Sequence, residues 1–154
     1  MEKEVKFLKE WAVRYVKSKD VIAKKITSIK EEDSEFVVSK NEKLQKYFII
    51  PFLENIDELV SKVKDYEHAK TIVCFHTKNN FDFLIKNWGA FVDLGRNFTI
   101  YFANPFSKLD KVLSLSPYTH ELITDDSSLK QGLKTMSETV EFTTEDEVKK
   151  IISS

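Results

Sequence analysis

Thr71-Ile72-Val73-Cys74-Phe75, then Asn79 to Leu94, then Phe98-Thr99-Ile100-Tyr101-Phe102 is the stretch that decides the fold class. The first run is short, continuous and apolar, the pattern of a strand covered on both faces. The middle segment carries Phe81, Phe83, Leu84, Ile85, Trp88, Phe91 and Val92 at helical length and spacing. The third run returns to a strand. Strand, helix and strand in that order predict a layered α/β protein with the two strands running parallel.

Working outward, Glu2 to Lys17 sets Val5, Leu8, Ala12, Tyr15 and Val16 on one stripe of a first amphipathic helix, with Phe7 and Trp11 widening it. Val21-Ile22-Ala23 and Lys25-Ile26-Thr27 are β-rich, and the polar turn Glu31-Glu32-Asp33-Ser34 precedes Glu35-Phe36-Val37-Val38. This predicts a hairpin. A turn near Lys40-Asn41-Glu42 leads to a third strand, Tyr47 to Phe52, which Pro51 ends or confines to an edge. Asn55 with Glu58 opens a helix with the stripe Ile56, Leu59, Val60 and Val63, and Asn79 with Asp82 repeats that capping arrangement. Gly95 is placed to stop the aromatic helix in a left-handed conformation. Val112 to Ser116 alternates as a strand, Leu129, Leu133, Met136 and Val140 mark a helix begun near Asp125 to Ser127, and Thr144 with Glu147 caps a last one. The expected order is α-β-β-β-α-β-α-β-β-α-α: a single α/β domain over residues 1–154, or an α+β variant. Its mixed sheet has about six strands, with helices packed on both faces.

Length and composition narrow the class. A chain of 154 residues fits one domain with a full core. Three glycines and three prolines leave little room for linkers or low-complexity tracts. No window approaches a membrane span, and the charged opening Met1-Glu2-Lys3-Glu4 lacks the apolar stretch of a secretion signal. One cysteine cannot form an internal disulfide, so a reducing, cytoplasmic setting is expected, and the lack of an apolar span with a net charge near zero predicts no membrane association. The net charge of −1 gives no general affinity for polyanions, and with Arg14 and Arg96 alone among 24 basic residues, sequence-specific nucleic-acid reading is disfavoured. The charge is nevertheless segregated. Residues 1–30 hold nine Lys/Arg against four Asp/Glu, and residues 121–154 hold four against eight. Either the two ends are solvated helices lying near each other, or the basic end faces an acidic partner.

Gly89, Gly95 and Gly132 build neither a P-loop nor a dinucleotide loop, and no cofactor is implied. Cys74 and His76 point to the same side of a strand, but zinc needs two more ligands, so no metal site is expected. Cys74 within an apolar strand should be inert, and no G-x-S-x-G elbow is present, which leaves no catalytic residue identified. If the strands around the aromatic helix are parallel, His76, Lys78, Asn79 and Asn104, with Thr77 and Ser107, gather at one sheet edge. Ligands of open α/β sheets bind at such an edge, and a helix start there favours an anion. Phe83, Trp88 and Phe91 make the aromatic helix apolar nearly all round, which suits burial or a homodimer contact.

The order α-β-β-β-α-β is similar to the core of restriction-endonuclease-like nucleases. That resemblance implies an acidic residue near the second strand and an acid-x-Lys pair on the third, holding magnesium and activating water. Asp33 or Glu35 matches the first role. The third strand reads Leu44-Gln45-Lys46-Tyr47-Phe48, so the acid-x-Lys pair is missing and Glu42 is the nearest acid before Lys46. The leading expectation is therefore a binding or assembly module that self-associates or joins a protein partner. The alternatives are a divergent metal-dependent nuclease and a small-anion or nucleotide sensor.

Overall fold

The computed structural model describes residues 2–154; Met1 lies outside them. The elements are α1 (Lys3–Lys19), β1 (Ile26–Glu31), β2 (Glu35–Lys40), β3 (Lys43–Ile49), α2 (Ile56–Val63), β4 (Ala69–Phe75), α3 (Lys78–Lys86), α4 (Trp88–Val92), β5 (Phe98–Ala103), β6 (Val112–Leu115), α5 (Pro117–Ile123), α6 (Asp126–Ser137) and α7 (Glu145–Ser153). The six strands form one mixed sheet in sequence order. β1, β2 and β3 make an antiparallel meander, β3, β4 and β5 run parallel, and β6 returns antiparallel. The α/β class and the mixed sheet of six strands follow the sequence reading.

Side-chain alternation divides the core between the two faces of this sheet. Phe48, Ile72, Cys74, Ile100, Phe102 and Leu115 point to one face, where Leu59 and Val63 of α2, Phe81 and Leu84 of α3, Phe91 of α4 and Leu133 of α6 cover them. Phe36, Val38, Tyr47, Ile49, Val73 and Phe75 point to the other, beneath Leu8, Ala12, Val13 and Val16 of α1 and Val148 of α7. All of Lys70 to Phe75 is buried, which is why that strand reads as an unbroken apolar run. α1 and α7 share a face and pack side by side, whereas α6, the other helix of the acidic end, covers the opposite face. No helix among the described residues is long and apolar enough to cross a membrane.

Local chemistry accounts for the connections. Asn41 and Glu42 both take positive φ, 50° and 66°, the backbone twist a two-residue hairpin requires. Gly95, at φ +94°, ends the aromatic segment as expected. β3 stops at Ile49, just before Pro51, but it is an inner strand flanked by β2 and β4.

Two local expectations give way where a single residue redirects the chain, and one further helix joins the expected order. Val21, Ile22 and Ala23 form a turn, because Asp20 accepts hydrogen bonds from the Lys25 and Ile26 amides and holds the chain back until β1 begins. The aromatic segment is two helices, broken at Asn87 (φ −110°, ψ 26°), whose Nδ2 donates to the Phe83 carbonyl. The helix α5, with Pro117 in its first turn, was not anticipated between β6 and α6.

Candidate functional site

The parallel pairing of β4 and β5 sets Phe75 beside Ala103, so the residues that follow both strands start at one edge. The His76 amide donates to the Ala103 carbonyl at 2.7 Å. The chain between α6 and α7 then lies across this edge. Thr143 forms a parallel bridge with Thr77, and its amide donates to the His76 carbonyl at 2.9 Å. Asn104 Nδ2 donates to the Glu141 carbonyl at 2.7 Å, while its Oδ1 accepts from the Phe106 amide.

His76 is the centre of this clasp. It is fully buried, stacked on Phe142 with ring centroids 4.2 Å apart, and its Nε2 lies 2.8 Å from the Ser137 carbonyl. A carbonyl only accepts, so Nε2 carries the proton and Nδ1 is the bare nitrogen; among the described residues Nδ1 has no hydrogen-bond partner. Burial holds the ring below the ordinary imidazole value, with the Ser137 and Val140 backbone opposing that effect. The Thr143 hydroxyl is likewise buried without a partner.

The four residues expected to meet a ligand therefore separate into two kinds. His76 and Asn104 are spent on the chain's own backbone, and Ser107 similarly accepts from the Leu109 amide. Lys78 and Asn79 are exposed in the first turn of α3. The helix cap is Thr77, which accepts from the Asn80 amide, and not Asn79. Asn80 faces inward: its Oδ1 accepts from Leu53, and its Nδ2 donates to the Pro51 and Phe75 carbonyls.

With the sheet edge closed, open space lies beside it. A groove of about 490 Å³ runs between α3 and α6. Lys78, Phe81, Asp82 and Ile85 line one wall at helical spacing, Ser127, Lys130, Gln131 and Lys134 line the other, and Phe142 contributes at the clasp. Its lining holds three lysines against Asp82 and Glu138 over apolar Phe81, Ile85 and Phe142. A second groove of about 480 Å³ lies on the other side of Phe142, with Glu54 and Glu145 in its lining. Lys78 lines this second groove as well. Lys130, Lys134 and Phe142 were missed in the sequence because α6 was read for its apolar stripe. The polar stripe Ser127, Lys130, Gln131, Lys134 at spacings of three and four was the available signal.

Of the interface residues, Phe91 is corrected: it is fully buried, stacked on Phe98 at 6.1 Å, and belongs to the core. Phe83 is half-buried with its ring 6.2 Å from that of Phe91, and Trp88 is half-buried with Nε1 donating to Glu121 at 2.7 Å. Cys74 is fully buried, and burial pushes its thiol well above the ordinary value, which suppresses the reactive thiolate.

For the nuclease reading, the order α1-β1-β2-β3-α2-β4 is present. Lys46 Nζ lies 3.1 Å from Glu35 Oε1, on the sheet face that also bears Phe48, with its cation over the Phe48 and Tyr66 rings. Glu42 sits in the turn at the far end of that hairpin, roughly 20 Å along the strand from Glu35. Among the described residues, no three His, Cys, Asp or Glu side chains gather where they would hold a metal ion. Comparison with known proteins returns no match: no family model, no curated protein and no solved structure.

Proposed function

We propose that this protein is a binding module and that its ligand is a small organic anion with a flat or apolar body, of the nucleoside monophosphate kind, held in the groove between α3 and α6. The observation that carries this reading is the lining of that groove, three lysines above Phe81, Ile85 and Phe142. Its volume of about 490 Å³ lies within the usual range for small-molecule sites. An apolar floor takes the body of such a ligand, and the ammonium groups take its charge at the mouth. The clasp supports the same assignment, because His76 and Asn104 are already committed, Lys78 and Asn79 remain exposed, and of these two Lys78 lines the groove.

The test is calorimetric titration with the four common nucleoside monophosphates, with inorganic phosphate as a probe of charge alone. Saturable binding of at least one nucleotide is expected, weakened about tenfold or more by Lys130→Ala with Lys134→Ala, since a charge-assisted hydrogen bond contributes roughly 1.5–3 kcal/mol. Both positions are exposed on α6, so the fold should tolerate the change. Absence of binding by all four nucleotides, or binding indifferent to both lysines, overturns the reading.

A further inference from the structure

The opposite end of the sheet carries an arrangement unconnected with the groove. Ile26 of β1, Lys40 of β2 and Lys43 of β3 form a row across the meander where β3 begins, at the far end of the strands from Thr77. The turn that enters β1 projects beside this row. Ile22 at its tip is 96% exposed and Val21 is 66% exposed, and Leu44 next to Lys43 is also exposed. Lys17, Lys19, Lys24, Lys25, Lys40 and Lys43 surround these apolar residues, all of them exposed. The acids here are Asp20 and Glu42, and Asp20 already accepts from the Lys25 and Ile26 amides.

We propose that this end of the molecule is a docking surface for an anionic phospholipid membrane, with Ile22 and Val21 entering the acyl boundary and the lysines meeting the headgroups. A branched aliphatic tip has no favourable place in water and finds one at a bilayer interface. Each lysine near an anionic surface adds an attraction that falls away with salt. The chemistry favours lipid over nucleic acid. The cations are lysines rather than arginine forks, and the tip presents aliphatic side chains with no aromatic ring for stacking on bases. The chain's net charge of −1 conceals the patch because the compensating acids lie elsewhere, notably in α7.

The test is co-sedimentation of the full chain with vesicles of phosphatidylcholine, alone or mixed with phosphatidylserine. Binding to the mixed vesicles alone, declining as salt rises, is expected. Lys24→Gln with Lys25→Gln should weaken it about 25-fold, at about fivefold for each lysine. Ile22→Ser should weaken it about tenfold, whereas Leu109→Ser, a residue 88% exposed at the other end of the sheet, should leave it unchanged. Far-ultraviolet circular dichroism confirms that each variant is folded. No binding to mixed vesicles at low salt overturns the proposal. So does equal behaviour of Ile22→Ser and Leu109→Ser, or displacement of the vesicles by an oligonucleotide without any effect of Ile22→Ser.

Discussion

At position 80 one side chain satisfies three backbone groups, the Leu53 amide and the Pro51 and Phe75 carbonyls, and so ties the exit of β3 to the exit of β4. The sequence points to a helix start in this neighbourhood, but the cap is Thr77, two residues earlier than Asn79. That shift sends Asn80 inward and leaves Lys78 and Asn79 outside. Capping residues are interchangeable enough in pattern that Thr77 and Asn79 cannot be told apart until the strand end is known. His76 shows the same limit: its place after β4 was legible, whereas its contact with Ser137, sixty-one residues away, was not. Its titration gives a testable consequence. Since burial lowers the folded-state pKa below 6.5, the folded chain binds fewer protons than the unfolded chain as acid is added. Stability is therefore full above about pH 6.5 and declines as pH falls through the window beneath it. Urea unfolding at about pH 7 and about pH 5 should show a loss in the parent protein that His76→Gln reduces. An identical pH response in both proteins would contradict the assignment.

Helices and strands with a clear period were readable, and errors fall where a single residue redirects the chain. Asn87 turns the aromatic segment so that α4 sends Phe91 into the core, a change that a continuous helical stripe cannot reveal. Likewise Asp20, by capturing two amides, converts the β-rich letters Val21-Ile22-Ala23 into an exposed turn. The burial of Phe91 predicts that Phe91→Ala costs about 3–5 kcal/mol of stability, because the cavity it leaves lies between α4 and β5. Denaturant unfolding measures that loss. Light scattering alongside it should show no change in oligomeric state, and a variant of undiminished stability that dissociates from a dimer would return Phe91 to the surface.

For the whole molecule, the order and period of the apolar runs specified an α/β layer structure, and those residues coat both faces of one sheet. What composition averages away is the placement of charge. The chain separates a lysine-ringed aliphatic turn at one end of the sheet from a lysine-lined groove beside the other, and a net charge of −1 reports neither. On the proposed reading the chain itself closes the strand-end clasp, and recognition takes place in the groove between α3 and α6. Amide chemical-shift mapping of the full chain during titration with the nucleoside monophosphates tests it most directly. Shifts are expected to cluster on Lys78, Phe81 and Ile85 of α3 and on Lys130 and Lys134 of α6, with Asn104 and the hairpin around Lys46 unmoved. Shifts centred on Asn104, or on Glu35 and Lys46, would contradict it.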